Sequence, residues 1–378
     1  MTTTEKLLRE LIALPSVNPA FLPAKDPHAG EHRVAEFLAD AAVRAGLDVE
    51  FQAVLPKRSN LLARLSPVGG ARQRVLLAPH LDTVGGPEVP GELFSPRRKN
   101  GRLSGRGACD TKGSVAAMLA ALMEVSRSGK RPAQTEVIFA GLVDEESGQA
   151  GSRALAASKL RADLAIVGEP TALRVVTAHK GVLWLQLETR GRAAHGAKPE
   201  LGVNAVHAMA RIVDILETIY AAQLRRRKHP LLGHPTINVG SIEGGTQPNI
   251  VPARCTIAID RRTLPLETDV QVLREIREVL RKRNLSAEIT SLQSAICLPL
   301  ETSPKLPLVE SFLRGIRQKG LVGVDYFSDA GVLAESGIPS VVFGPGDIAQ
   351  AHTPDEWIEV RQLDQAKDML IRFLRSLP

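Results

Sequence analysis

The chain has little of what several classes of protein need. Its 378 residues include only three cysteines, Cys109, Cys255 and Cys297, which lie far apart and form no CxxC pair. We therefore expect no disulfide framework. No apolar run reaches the roughly 18 residues of a membrane helix. The longest candidate, residues 115–125, is short and contains Glu124. We expect neither a transmembrane segment nor a membrane partner.

The first residues, MTTTEKLLRELIALPSVNP, also lack the separate basic, apolar and small-residue regions of a signal peptide. They indicate an amphipathic helix instead. A cytoplasmic location is the default expectation.

Aromatic residues are scarce, with two tryptophans, two tyrosines and nine phenylalanines. The net charge is +7, and basic runs occur at residues 224–229 (LRRRKH) and 280–284 (LRKRN). Such runs are one mark of nucleic-acid binding, but so few aromatic side chains offer little surface for stacking bases. A solvated helix face or a small anionic substrate accounts for the same charges. We expect no nucleic-acid partner.

The length exceeds what one hydrophobic core usually organises, which predicts two domains. The first half alternates short apolar runs with helical patterns, typical of an α/β domain whose mainly parallel sheet is flanked by helices. From about residue 174 to 291 the pattern changes to βαββαβ, which predicts an inserted α+β domain. The main domain then consists of residues 1–173 and 292–378, interrupted by residues 174–291.

Three apolar strands of the main domain end in acidic or imidazole side chains. The strands read VLLAPHLD, VIFAGLVDEE and LAIVGEP. The polar residues at their ends are His80, Asp82, Glu145, Glu146 and Glu169. Parallel strands of an open α/β sheet bring their carboxyl ends to one crevice, where ligands bind. A later apolar strand, residues 338–343, is followed by a Gly-Pro-Gly turn and then by His352.

So many carboxylates and imidazoles in one crevice would repel one another unless a cation neutralised them. Nitrogen and oxygen ligands without a thiolate suit Zn²⁺, Mn²⁺ or Co²⁺. Two ions need a bridging ligand, and Asp110 offers two oxygens. The HxD spacing predicts that Asp82 orients the ring of His80. Of the adjacent Glu145 and Glu146, one can bind metal while the other acts as a base towards water.

Five motifs, in this order, are similar to those of one enzyme family. They are PHLDTV at 79–84, GRGACDTKG at 105–113, DEE at 144–146, VGEPT at 167–171 and AHTPDEW at 351–357. The chain resembles the co-catalytic metallopeptidases, which include acetylornithine deacetylase, succinyl-diaminopimelate desuccinylase, aminoacylases and glutamate carboxypeptidases. The resemblance spans nearly the whole chain. It implies a di-metal hydrolase of linear amides whose inserted domain closes over the substrate and forms a homodimer.

The resemblance also implies a ligand set. His80 and Glu169 would hold one ion, Glu146 and His352 would hold the other, and Asp110 would bridge them. Zinc is the first expectation for both ions, with cobalt or manganese as alternatives.

Further roles follow from the resemblance alone. Glu145 would be the general base, and His195, in GRAAHGAKPELGVNA, would stabilise the oxyanion in its own or the partner subunit's site. Lys180, Asn249 and Arg262 would bind the substrate carboxylate. Two simpler interpretations stay open. His195 could be only a turn residue, and the side chains of Lys180 and Arg262 could each pair with a surface carboxylate.

Within the family, residues 169–181 and 344–357 lean towards acetylornithine deacetylase, whose reaction gives acetate and a free amino acid. A succinyl-diaminopimelate-type desuccinylase and a glutamate-carboxypeptidase-like exopeptidase remain open, because they share the ligands and differ in the acyl pocket. A non-catalytic binding protein on the same fold is a remote alternative. Such a protein would not need the base Glu145.

Overall fold

The computed structural model describes residues 1–85 and 91–378. Its helices are α1 Thr3–Ala13, α2 His32–Val43, α3 Lys112–Arg127, α4 Ala150–Ala157, α5 Ala205–Ile215, α6 Ala221–Leu224, α7 Asp269–Arg281, α8 Pro307–Gly315, α9 Asp329–Glu335 and α10 Val360–Ser376. A π-helical turn, Leu216–Tyr220, joins α5 to α6, and short 3-10 turns occupy Pro19–Phe21, Gly91–Phe94, Pro199–Leu201 and Ile348–Gln350.

The strands are β1 Asp48–Leu55, β2 Arg58–Leu65, β3 Gln73–Pro79, β4 Arg97–Lys99, β5 Arg102–Ser104, β6 Thr135–Gly141, β7 Leu164–Gly168, β8 Ala178–His179, β9 Gly181–Arg190, β10 Thr236–Gly244, β11 Arg254–Thr263, β12 Glu288–Ser291, β13 Leu300–Glu301, β14 Gly323–Val324, β15 Ser340–Val342 and β16 Trp357–Glu359.

Internal contacts divide the chain into two compact units. The first unit is Met1–Ala178, Glu301–Val322 and Ser328–Pro378, and the second is His179–Leu300 and Gly323–Phe327. The second unit therefore begins a few residues later than the predicted insertion. The reason is that Val176 bridges to Val342 and the N–H of Val175 donates to Gln318, both in the first unit. Residues 292–300 and 323–327 also lie in the second unit, outside the predicted boundaries.

The first unit is built on a six-stranded sheet in the order β1-β2-β6-β3-β7-β15. Neighbours from β6 to β15 pair in parallel, whereas β1 and β2 form an antiparallel hairpin that pairs antiparallel with β6. This confirms the mixed, mainly parallel sheet expected from the sequence. The sequence patterns did not predict β1, whose side chains are exposed or only half-buried.

Helices cover the sheet, which explains its continuous apolar runs. Alternate residues of β2, such as Leu61, Ala63 and Leu65, share one core with apolar residues of α1, α2, α3, α8 and α10. The residues that point to the other face of the sheet, such as Leu76 in β3 and Ile138 in β6, are fully buried as well. A strand that is buried on both faces loses the alternation of polar and apolar residues.

The second unit contains a four-stranded antiparallel sheet in the order β10-β11-β9-β12. Leu183, Leu185 and Leu187 of β9 form a core with buried residues of α5 and α7. A capping box between Thr268 and Gln271 begins α7. The succession of β9, α5, β10, β11, α7 and β12 is the predicted βαββαβ pattern. Among all described residues, no helix has the length and apolar character needed to cross a membrane.

Candidate metal centre

Strand order brings the predicted polar residues to one edge of the first unit's sheet. β3 lies between β6 and β7, and all three are parallel. His80 follows β3, Glu145 and Glu146 follow β6, and Glu169 follows β7. Asp110 lies two residues before the first residue of α3. The carboxyl ends of neighbouring parallel strands therefore supply most of the site, as expected for an open α/β sheet.

Five side chains form two groups that share Asp110. In the first group, His80 Nε2 lies 3.1 Å from Asp110 Oδ1 and 3.8 Å from Glu169 Oε1. In the second, His352 Nε2 lies 3.2 Å from Asp110 Oδ2 and 3.3 Å from Glu146 Oε2. The ligand atoms of each group lie within 4.8 Å of one another. Asp110 thus presents one oxygen to each group, as a carboxylate that bridges two ions must.

The exposure of the site differs between the two groups. His80, Asp110 and Glu169 are buried, whereas the side chain of His352 is 55% exposed. His352 also has a φ of 61°, in the left-handed region that non-glycine residues seldom adopt. The second group is therefore the more open one.

The charges of the site require a cation. Burial raises the pKa of Glu146 to about 7 and holds that of Glu169 well above its ordinary value. Hydrogen bonds to Asp110 and Glu146 raise the pKa of His352 to about 10. Burial opposes protonation of His80, but its bonds to Asp110 and other carboxylates outweigh burial and raise its pKa. Protons are thus drawn to this site, and metal binding replaces such protons.

An unsatisfied atom supports the same conclusion. Glu146 Oε1 is buried and has no hydrogen-bond partner among the residues that the structure describes. A buried polar atom without a partner costs about 1–3 kcal/mol. With imidazole and carboxylate donors and no thiolate in either group, the residues fit two divalent cations of the zinc, cobalt or manganese type.

Asp82 contacts more of the site than the HxD spacing alone predicts. His80 Nδ1 lies 3.0 Å from the carbonyl oxygen of Asp82 and 3.4 Å from its carboxylate, which leaves Nε2 facing the other ligands. The same carboxylate accepts the backbone N–H groups of Glu145 and Glu146, each at 3.1 Å. It also accepts from Asn18 Nδ2 at 2.7 Å. One side chain therefore orients both the histidine and the two glutamates.

A buried polar network behind Asp82 was not found by sequence reasoning. Asn18 Nδ2 also donates to Asp144 Oδ1 at 3.0 Å, and Arg58 donates to the same oxygen at 3.0 Å. Arg58 pairs with both carboxylate oxygens of Glu31, at 2.5 and 2.8 Å. These residues come from separate loops and strands, and each is a single polar residue without a motif of its own. Asp144 alone had a signal, because it opens the DEE motif.

Glu145 belongs to neither ligand group. It is buried, and burial holds its pKa well above the ordinary value, with the charges of Glu169, Asp329 and Glu146 acting in the same direction against that of His80. A carboxylate with a raised pKa beside the two groups is suited to accept and return a proton.

His195 and Asn249 lie side by side in the second unit. The N–H of Gly196 donates to the carbonyl of Asn249 at 2.7 Å. His195 is exposed, and its Nδ1 accepts the N–H of Ala197 at 3.1 Å. In the neutral ring the proton is then on Nε2, which is left as a donor.

Lys180 and Arg262, also in the second unit, each have a carboxylate partner. Lys180 Nζ lies 2.8 Å from Asp325 Oδ1. Arg262 pairs with both oxygens of Asp260, at 2.8 and 2.9 Å. Such pairing is the simpler interpretation that the sequence left open for both residues, and a substrate carboxylate would have to share or replace these partners.

Comparison with known proteins identifies the family. Residues 76–376 match the profile of peptidase family M20/M25/M40. Acetylornithine deacetylase of Proteus mirabilis (strain HI4320) is 32% identical over 393 aligned residues, which cover 100% of this chain and 97% of that protein.

Two solved structures share the fold. The M20 family metallo-carboxypeptidase Sso-CP2 of Sulfolobus solfataricus gives a TM-score of 0.79 at 20% identity over 99% of both chains. The YXEP protein of Bacillus subtilis, described as a dinuclear metal binding peptidase, gives 0.69 at 13% identity over 98% of this chain and 96% of that one. Motifs, ligand groups and relatives agree: the chain belongs to peptidase family M20/M25/M40 and is a metal-dependent hydrolase.

Proposed function

We propose that this protein hydrolyses the amide bond of an N-acylated amino acid, with N-acetylornithine-type deacetylation as the first candidate. The observation that carries the proposal is the position of Asp110 between two ligand groups, together with the buried Glu145, which precedes Glu146 and belongs to neither group. The choice of substrate is supported by the full-length relative of 32% identity, which is named an acetylornithine deacetylase. The products would be acetate and a free amino acid.

The proposed ligands are His80 and Glu169 for one ion, Glu146 and His352 for the other, and Asp110 for both. Zinc is the first expectation, with cobalt or manganese as alternatives. When bound, such ions supply Lewis acidity, which polarises an amide carbonyl and lowers the pKa of water.

The chain's own residues would handle the protons. Glu145 takes a proton from the attacking water and returns it to the leaving amine, so that the carboxylate is regenerated in each cycle. His195 Nε2–H donates a hydrogen bond to the oxyanion that forms on the carbonyl oxygen when water adds to the carbonyl carbon. Asp82 keeps His80 and the backbone of Glu145 in position.

In this proposal the second unit recognises the substrate and forms a homodimer. Lys180, Asn249 and Arg262 bind the substrate carboxylate. β10 is an edge strand of its sheet, and Ile242 on it is 53% exposed. Unpaired edge strands are ready to associate with another chain, which supports a dimer through this unit. The cytoplasm remains the expected location.

A substrate panel tests the function. Purified protein, with its metal content measured, is assayed against N-acetyl, N-succinyl and aminoacyl amides that share one amino acid. We expect the highest kcat/KM with N-acetylornithine. The Glu145→Gln variant, prepared in parallel, controls for contaminating hydrolases.

Other outcomes would redirect the proposal. Preference for the succinyl amide would identify a desuccinylase, and preference for the aminoacyl amide would identify an exopeptidase. Fully metal-loaded protein without turnover on any of these amides would favour a binding protein.

A further inference from the structure

Glu356 is a buried carboxylate in the AHTPDEW motif, and the proposed mechanism gives it no role. It lies four residues after His352, directly before β16, and is 3% exposed. Its side chain faces the loop of residues 105–110, which ends in Asp110. A carboxylate is costly to bury unless several donors satisfy it, so its partners indicate what it does.

All of the partners belong to that loop. Glu356 Oε1 accepts the backbone N–H of Cys109 at 2.8 Å and that of Asp110 at 2.9 Å. Oε2 accepts the backbone N–H of Gly107 at 2.8 Å and a guanidinium N–H of Arg106 at 3.1 Å. One side chain therefore determines the backbone path that leads into Asp110.

The same segment connects the loop to the chain that follows His352. The N–H of Gly105 donates to the carbonyl of Glu356 at 3.0 Å, and Arg106 donates to the carbonyl of Thr353 at 3.2 Å. Asp110 and His352 are themselves 3.2 Å apart in one ligand group. Glu356 thus holds together two of the three chain segments that supply this group, those of Asp110 and His352.

On its other side, the loop is enclosed by tight contacts. Lys112 Nζ donates to the carbonyls of Leu11 and Leu14, at 2.9 and 2.7 Å. Gly107 has a φ of 80°, and a Cβ added there would lie 2.9 Å from Thr83 Cγ2. The backbone at position 107 therefore passes close to Thr83 and leaves no room for a side chain.

We propose that Glu356 is a positioning residue that holds the Asp110 carboxylate against His352, so that the ion bound by these two residues is held tightly. The inference rests on the proposed ligand set. Four donors converge on Glu356, two on each oxygen. An amide has only one oxygen, so in either orientation a glutamine would turn its NH₂ group towards two donors. Glu356→Gln therefore disturbs the loop while preserving the size of the side chain.

The test is a titration of metal-free protein with Zn²⁺, followed by calorimetry, for the wild type and three variants. His352→Gln serves as the benchmark, because it removes one ligand of the ion in question. Asp355→Asn is the matched control, since Asp355 is the exposed neighbour of Glu356. Glu356→Gln should lower the affinity for one of the two ions by about 10- to 100-fold, the usual effect of losing a group that orients a ligand.

The expected pattern is specific. Glu356→Gln lowers the affinity for the same ion that His352→Gln loses, and the affinity for the other ion changes less. At limiting metal it lowers kcat with little change in KM. Asp355→Asn behaves like the wild type. Glu356→Asp keeps the charge but shortens the side chain, and it should lower the affinity for the same ion. It serves as the test if the glutamine variant does not fold.

Two results would overturn the inference, and they can be told apart. If His352→Gln still binds two ions tightly, the proposed ligand set is wrong, and the role of Glu356 falls with it. If His352→Gln loses an ion but a folded Glu356 variant binds both with wild-type affinity, Glu356 only stabilises the fold. A lower melting temperature would accompany that second result.

Discussion

Replacing Asp82 by asparagine should separate its contribution to the site from that of an ordinary buried residue. Its Oδ1 accepts the N–H of Glu145 and lies 3.4 Å from His80 Nδ1, and its Oδ2 accepts from Glu146 and Asn18. Asparagine retains one oxygen. If the NH₂ group takes the place of Oδ1, the bond from Glu145 is lost; if it takes the place of Oδ2, the bonds from Glu146 and Asn18 are lost.

The size of the effect follows from the lost bonds. A buried donor left without an acceptor costs about 1–3 kcal/mol, so the one donor lost in the less costly orientation predicts a loss of about 2 kcal/mol in the free energy of unfolding. That is a large share of the roughly 5–15 kcal/mol that stabilises a typical protein. Metal affinity should also fall about 10- to 100-fold, because the backbone of Glu146 and the ring of His80 lose their orientation.

Urea unfolding of metal-free wild type and variant measures the first quantity, and metal titration measures the second. Asp48→Asn, at an exposed position of β1, is the control and should change stability by less than about 0.5 kcal/mol. A loss below about 1 kcal/mol for Asp82→Asn, with unchanged metal affinity, would refute the argument that this carboxylate organises the site.

Four further predictions concern the proposed catalytic roles. Glu145→Gln should keep its metal and lower kcat by about 10²–10⁴, whereas Glu146→Gln should lose metal. Equal metal loss in both variants, with activity following metal occupancy, would contradict the division of roles. Dialysis against a chelator should remove about two ions per chain and abolish activity, since a two-metal hydrolase depends on its ions. Hydrolysis that persists in metal-free protein would disprove the dependence on metal.

His195→Ala should lower kcat by about 10²–10³ with little change in KM, because an oxyanion donor acts mainly in the transition state. A normal kcat would make His195 a turn residue. If the partner subunit supplies this histidine, co-expressing His195→Ala with Glu145→Gln should restore some activity; a confirmed but inactive hybrid dimer would exclude donation between subunits. Lys180→Met should raise KM more than it lowers kcat if Lys180 binds the substrate carboxylate, and an unchanged KM in steady-state assays would leave it as the partner of Asp325.

Some of this protein could be predicted from the sequence because the signals are local. An apolar run followed by His80, by Glu145 or by Glu169 shows where a strand ends, and parallel strands end at one edge of a sheet. The βαββαβ pattern likewise follows from apolar periodicity within each element. The grouping of imidazole and carboxylate side chains then indicates metal binding, since the carboxylates repel one another without a cation.

Only the tertiary structure decided how these parts meet. The order β6-β3-β7 brings His80, Glu146 and Glu169 to one end of the sheet. The fold also places one Asp110 oxygen beside His80 and the other beside His352, which no spacing along the chain specifies. Asn18 and Glu356 reach the site through hydrogen bonds across 64 and 246 residues, from Asn18 to Asp82 and from the N–H of Asp110 to Glu356. Periodicity records which face of an element is buried, but it does not record which distant polar atom satisfies another. Those partners depend on the path of the whole folded chain.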